Sequence, residues 1–562
     1  MISALSGQPS RLLANFALFK RSLLVSTVIF LLLEIWRPCY FLTDDNLSVG
    51  FPFHVELGRH LKEGQSPFFS DYLFGGHYNL LRDCFFFTWH PIDFLVSLFA
   101  DTSARFWMID MMAFFYIMMA TMGFATLGSF LREEGQLKLS DTRLLFYTLS
   151  FVYSTFILTA GSSWINYLAN QSSLPWLALG ILHPNRYRAM GLIALVSAHQ
   201  ILGGQMAATI SNDLFLTLFA FGVAFYRRSA LMFTKWVLGN ILGLVLVSPL
   251  LIPAMEGFFQ SERSSGLTPG VMTIFSVPGV VIPFSFFMGN YTDPIMCFTG
   301  RAFNDALQFP YIPTLLACAA AWCLPLALFS SARWHFLEIL CLGMTGLLVL
   351  FIIRPDWMTS VMIHIPLLKS MRWPFREILQ LQFFIHLLLV LRPQMGTLRF
   401  QNLVATSSLA LFIIPFFFIK VPTFNPLAPD RQALFSGQAE RFWLQVKTHL
   451  KPADEIATVI DKNLWQTSWR QVPYSLLGTA NFPAFLKVKC ISGYTNTAPL
   501  DAIPLKTHPL YWFGAFDRDQ LDSILRERPD LKIISLDSLT PLKITLLSSD
   551  SPAIDLTPYL SQ

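Results

Sequence analysis

Charge is what this chain has least of. Only 13% of its 562 residues are Asp, Glu, Lys or Arg, where a soluble domain carries roughly 25%. No lysine/arginine run of the kind that tracks a phosphate backbone occurs, so nucleic acid is not an expected partner. Cysteine is scarce too: there are seven and no CxxC pair, which excludes a zinc ribbon and a disulfide-stapled scaffold. Cys318, Cys323 and Cys341 lie in apolar stretches and read as small core residues. A Cys39–Cys84 disulfide is open if their side is oxidising. A GxSxG elbow, a Walker A loop, a Rossmann GxGxxG, a 20–50-residue repeat and a low-complexity tract are all absent.

Apolar residues fill the space. The chain is 54% hydrophobic with 54 phenylalanines, and its mean hydropathy is +0.50. A chain this long and this apolar would expose a large apolar surface in water, and lipid removes that problem. Windows of about 20 mostly apolar residues mark about eleven crossings. They fall at 20–37, 104–131, 143–161, 166–183, 189–204, 208–226, 233–255, 310–329, 336–353, 375–391 and 402–419. The first is read as a retained helix, because Glu34, Trp36, Arg37 and Pro38 follow it rather than a small-residue cleavage site. The weakest are 166–183, diluted by Asn166, Asn170 and Gln171, and 189–204, diluted by His199 and Gln200. They are either full helices facing the protein interior or a re-entrant pair.

Basic residues set the orientation. Lys20/Arg21, Arg132/Lys138/Arg143, Arg186/Arg188, Arg227/Arg228/Lys235, Arg333 and Arg392/Arg399 occupy alternate short loops. The positive-inside rule puts these loops and the N-terminus in the cytoplasm. Segments 38–103, 256–309, 354–374 and the tail then share the opposite face. Two parts are expected: a membrane bundle over 1–419 and an extracytoplasmic domain over 420–562. The tail reads as small and mixed α/β, with strand-like runs at Glu455–Ile460, Phe485–Ile491 and Lys532–Leu536 and helical stretches at Ala439–His449 and Asp519–Arg528.

The segment from Thr43 to Phe99 is too polar to span and too rich in aromatics, glycine and proline to be a plain linker. Val49–Lys62 has helical apolar spacing and is expected to lie on the membrane surface. Asp44, Asp45 and Asp83 sit near membrane level. A carboxylate at that height can take a proton from an acceptor hydroxyl or stabilise positive charge at a sugar carbon. The Asp44-Asp45 pair can equally cap the next helix or mark the interface.

In order and spacing this loop resembles the YfhO-type bacterial membrane proteins of the GT-C glycosyltransferase superfamily. The resemblance rests on Asp45, Pro52-Phe53, the Gly64-to-Pro67 turn, Gly75-Gly76, Asp83 and Pro91. Weaker matches are Ser173-Leu-Pro-Trp176 as an apolar helix start, Gly203-Gly204-Gln205, Met371-Arg-Trp-Pro-Phe-Arg376, and Asn481 with Ile491-Ser-Gly-Tyr494. Asp44 stands where the family usually has glycine. The chain is also shorter than many members.

Membership implies an all-α polytopic GT-C-like helix bundle in the bacterial inner membrane. It implies a sugar donor on polyprenyl phosphate at the outer face, and an envelope glycan, lipid or protein as acceptor. Asp45 or Asp44 would be the catalytic base. Asp83 would orient the base or the acceptor. Arg372 and Arg376, four apart at a helix start, are candidates for the donor phosphate, against snorkelling or a salt bridge to Glu377 or Asp356. His54, Glu56, His90 and Trp373 are candidate substrate contacts, with His90 also readable as a structural histidine near a helix start. No cofactor is expected. Polyprenyl phosphate lacks a diphosphate to neutralise, so a divalent metal is not required, although Asp45, Asp83 and a histidine could still converge around one. Trp164, Trp176 and Trp357 read as an interfacial belt. The other readings are a non-enzymatic lipid or polymer transporter and a catalytically dead accessory protein of envelope assembly.

Overall fold

The computed structural model describes residues 9–74, 78–79, 89–134, 140–260, 334–365, 368–370, 374–392, 428–468, 471–491, 515–520, 526, 528–548 and 551–561. Helix dominates up to residue 392. After α1 (Pro9–Trp36), a π-helical turn at Asn46–Gly50 leads into α2 (Phe51–Glu63), the short antiparallel strands β1 (Phe69–Ser70) and β2 (Tyr78–Asn79) come next, and α3 (Pro91–Ser97) follows. The bundle continues with α4 (Met108–Glu133), α5 (Asp141–Val152), α6 (Thr155–Ser163), α7 (Asn166–Leu182) and α8 (Arg186–Gly203). Then come α9 (Met206–Tyr226), α10 (Ala230–Phe259), α11 (Phe336–Ile353), α12 (Asp356–Met362) and α13 (Ile378–Leu391).

Among the described residues, four helical stretches are long and apolar enough to cross a membrane: Ser103–Glu133, Met206–Tyr226, Ala230–Phe259 and Phe336–Ile353. α13 is apolar but shorter. The expected spans at 310–329 and 402–419 lie outside the described residues.

The expected span 143–161 is two helices, not one. Ser154 leaves helical geometry at ψ 152° and its hydroxyl accepts the N–H of Ile157, which starts α6 afresh. The break frees carbonyls at the end of α5, and Gln171 reaches across from α7 to donate to Phe151 O at 2.7 Å. Backbone groups released inside an apolar bundle find such partners because leaving them bare is costly.

The two weakest expected spans are each one continuous helix, α7 and α8. Asn170, Gln171, Ser172 and Ser173 of α7 are completely buried. The Ser173-Leu-Pro-Trp176 segment lies in the middle of α7, not at its start. The Gly203-Gly204-Gln205 turn joins α8 to α9. A Cβ on Gly204 would sit 2.2 Å from Gln200 O and 2.6 Å from Asn170 Nδ2, so only glycine fits there. Gln205 then caps α9 by accepting the N–H of Ala208 at 2.8 Å.

α2 does not lie open on a surface as its apolar spacing suggests. Every residue from Phe51 to His60 is buried, packed against α3 on one side and the tail on the other. Its C-terminal Gly64 adopts φ +66°, the left-handed stop of a helix.

The tail begins with α14 (Ala428–Phe435) and α15 (Gln438–Val446). A five-stranded mixed sheet follows, made of β3 (Ile456–Ile460), β4 (Phe516–Asp517), β5 (Lys532–Leu539), β6 (Leu542–Ser548) and β7 (Ser551–Asp555). Its order is β4-β3-β5-β6-β7. β3 runs parallel to β4 and β5, with Ile456 opposite Lys532. β5, β6 and β7 run antiparallel, with Ile534 opposite Leu546. All five residues of β3 are buried, as a central parallel strand requires. The run Phe485–Ile491 is not a strand: it begins in the short helix Phe482–Leu486, and only Cys490 bridges to Ile456. Most of 519–528 lies outside the described residues.

The tail docks on loop 38–103. Arg431 donates to Cys39 O at 2.9 Å, Leu42 O at 2.8 Å and also Pro38 O. Cys490 N–H donates to Tyr72 O at 2.8 Å, and Asn481 N–H donates to Ser48 O at 3.1 Å. Arg59 donates to Ala484 O, Arg105 pairs with Glu440 at 2.7 Å, and Phe51 packs on Phe485. Loop and tail therefore pack against each other at one end of the bundle.

Candidate functional site

Chain reversal after α1 builds the site. Glu34 near the end of α1 accepts the N–H of Cys39, and Asp110 of α4 accepts the N–H of Phe41, each at 2.8 Å. Arg431 holds the carbonyls of the same turn. Thr43 donates to Ser162 O at 2.7 Å. Asn46 donates to Phe41 O and Gly161 O and accepts the N–H of Ile165, all at 2.8 Å. The first residues of the loop are thus fastened to the junction of α6 and α7.

The two neighbouring aspartates are used differently. Asp44 is buried, with left-handed backbone at φ 47°, and its carboxylate accepts the hydroxyl of Ser163. Its carbonyl accepts the Ser48 hydroxyl at 3.0 Å. Asp45 is half-buried and helical, and its side chain makes no capping bond to the turn that follows. Its Oδ2 instead accepts the indole N–H of Trp164 at 2.7 Å. The helix-cap reading of Asp45 therefore gives way to a long-range bond across 119 residues.

Arg376 arrives at the same indole. Its guanidinium is buried 5.7 Å from the Trp164 ring centroid and 5.9 Å from that of Tyr167, within cation–π range. Glu377 forms its ion pair with Arg354 at 3.6 Å and accepts the Ser211 hydroxyl at 3.3 Å. Asp45, Trp164 and Arg376 thus form one cluster of carboxylate, indole and cation. From the tail, Tyr474 comes near Asp44. Burial pushes the Tyr474 phenol well above its usual range, and the Asp44 charge adds to that push. Asp83, Arg372 and Trp373 lie outside the described residues.

His54, Glu56 and His90 hold the loop together instead of converging on Asp45. His54 Nδ1 is 3.2 Å from Ser97 Oγ, and burial lowers its pKa to about 4, so it is neutral at pH 7. Glu56 accepts the Ser70 hydroxyl at 2.8 and 2.9 Å and the Asp71 N–H at 2.9 Å. Burial outweighs those bonds and raises its pKa to about 7. His90 caps α3, accepting the Ile92 N–H on Nδ1 at 3.3 Å. Its Nε2 then carries the proton and donates to His199 Nδ1 at 2.8 Å. His199 in turn donates from Nε2 to Ser172 Oγ at 2.9 Å, and Ser172 donates to Ala169 O at 2.8 Å. This one-way chain needs a neutral His90 ring, and burial holds the His90 pKa down at about 4. His90 is therefore the structural histidine of a helix start.

Sequence reasoning missed Asn46, Ser163, Tyr167 and the role of Trp164. Trp164 stands in the short gap between two apolar windows, where an interfacial tryptophan is the ordinary expectation. Of the other belt candidates, Trp357 is 63% exposed, while Trp176 donates to Met119 O at 3.1 Å inside the bundle. Among the described residues no group of three or more His, Cys, Asp and Glu side chains is placed to hold a metal ion. No family model, no curated protein and no solved structure matches the chain.

Proposed function

We propose that the protein is a GT-C-type membrane glycosyltransferase with about eleven spans. It moves a sugar from a polyprenyl-phosphate carrier to an envelope glycan, lipid or protein at the outer face of a bacterial inner membrane. The N-terminus lies in the cytoplasm, and loop 38–103 and the tail lie outside. The observation that carries the reading is the convergence of Asp45 and Arg376 on one indole. Glycosyl transfer needs those two charges near each other. The acceptor oxygen bonds to the anomeric carbon as its proton passes to the Asp45 carboxylate. The bond from that carbon to the phosphate oxygen breaks, and polyprenyl phosphate leaves as an anion. Arg376 stabilises the growing negative charge there. Asp44 shapes the backbone beneath the base, and a resident metal has no step to perform.

The test is transfer by purified full-length protein in lipid nanodiscs. The donors are a panel of polyprenyl phosphates, each bearing one radiolabelled hexose, and the acceptor is an envelope fraction. Asp45→Asn is expected to cut transfer at least about 1,000-fold, with donor binding retained. Asp44→Asn is expected to retain some transfer and lower stability. Full transfer by Asp45→Asn, or none by wild type with any donor, overturns the proposal and favours the accessory or transporter reading.

A further inference from the structure

Trp164 touches both charged groups of the cluster. Its position is fixed by its surroundings: Asn46 accepts the N–H of the next residue, Ile165, at 2.8 Å, and the Tyr167 ring packs 5.8 Å from the indole. Trp164 N–H also donates to Ala160 O at 2.7 Å, which closes α6. The indole is half-buried, so the cluster is not sealed inside the bundle.

We propose that Trp164 is a positioning residue that couples the base to the phosphate-binding cation. Its N–H fixes the Asp45 carboxylate, and its ring seats the Arg376 guanidinium. This deepens the transferase reading above and rests on it. The physical argument is geometric. An indole has one polar donor on its edge and a negative face above the ring. One rigid group with two torsions can therefore hold an anion at its edge and a cation over its face. The anion and cation then keep a fixed separation, and proton transfer and phosphate departure occur at a set distance from each other. A flexible side chain cannot do both.

Trp164→Phe separates the two functions, because it keeps a ring beneath Arg376 and removes the N–H. It is expected to lower kcat about tenfold and leave KM for the donor within about twofold. A donor that favours the charged carboxylate is lost, so the acidic limb of the pH–rate profile moves up by about one pH unit. Trp164→Ala also removes the seat of Arg376 and is expected to raise KM about tenfold as well. In the Asp45→Asn background, Trp164→Phe should add no further loss, since it acts through the carboxylate.

A readout without catalysis guards against misfolded variants. In 15N-tryptophan-labelled wild type, one indole N–H signal is expected to titrate with pH, and the same signal is expected to shift and stop titrating in Asp45→Asn. An unchanged kcat and acidic limb in Trp164→Phe, or no indole signal that responds to Asp45→Asn, overturns the coupling while leaving the transferase reading intact. A wild type that transfers nothing overturns the transferase reading, and Trp164 then has no base to position.

Discussion

α7 and α10 are built on opposite plans. α7 carries Asn170, Gln171, Ser172 and Ser173, and all four are fully buried. α10 is more apolar, yet Leu231, Val237, Ile241, Leu242, Val245 and Leu246 on it are 38–62% exposed. In water this would be inside-out. In lipid it is the low-energy choice, because apolar side chains lose nothing by facing acyl chains while polar groups need partners. Asn170 has them: it accepts the Gln205 N–H at 2.7 Å, donates to Thr209 at 2.8 Å, and its carbonyl accepts from Asn212 at 3.2 Å. Gln380 of α13 donates to Asn212 Oδ1 at 2.8 Å and extends the network. The less apolar of these two helices is thus the one held by buried polar bonds, and the Trp164 cluster lies at its N-terminal end.

The sharpest break of this contrast is Asn170→Leu. It strands the Gln205 N–H in a dry interior and removes the donor to the Thr209 hydroxyl, at a cost of about 3 kcal/mol. Leu242→Ala on the open face of α10 should cost under about 0.5 kcal/mol in nanodiscs. Thermal unfolding of the two variants checks this, and equal losses would mean that α10 packs against protein rather than lipid.

A second contrast is between the buried network and the clamp of tail on loop. Arg431→Ala frees the carbonyls of Pro38, Cys39 and Leu42 and is expected to cost about 2 kcal/mol. The loss should show as faster protease cleavage of the tail with the bundle intact. Simultaneous loss of both parts would mean that they fold as one unit.

The smallest effect concerns Glu56. Its carboxyl is raised from 4.5 to about 7 by burial, so the folded state favours the protonated form. That contribution to stability is complete below pH 4.5 and is lost as pH rises through about 7. Glu56→Gln is expected to lose less stability than wild type between pH 4.5 and 7.5, as read by unfolding midpoints. Asp430, also raised to about 7 by burial, leaves a residual slope in both proteins.

What could be read from the sequence was whatever repeats locally. Apolar windows located α1, α4, α9, α10 and α11, and short β-like runs located β3 and β5. The break at Tyr153-Ser154 was hidden because neither proline nor glycine marks it, although Ser154-Thr155 is a cap signal. The burial of α2 was hidden because half of its cover comes from Phe482–Leu486, more than 400 positions along the chain. At the site, Asp45 and Arg376 were legible as charges near membrane ends. Their link was not, because it runs through an indole 119 positions from Asp45 and no local pattern encodes that pairing.

The side of the membrane that holds this cluster decides whether a flipped lipid-linked sugar can reach it. The direct measurement is labelling of single added cysteines in intact cells with a membrane-impermeant maleimide, against a parent chain carrying its seven native cysteines. Phe69→Cys in the loop, Leu444→Cys in the tail and Tyr187→Cys in a basic loop replace side chains 47%, 66% and 68% exposed. Positions 69 and 444 are expected to react in intact cells, and position 187 only after permeabilisation. Reaction at 187 in intact cells, with 69 and 444 silent until lysis, would place Asp45 in the cytoplasm and contradict an outer-face transferase.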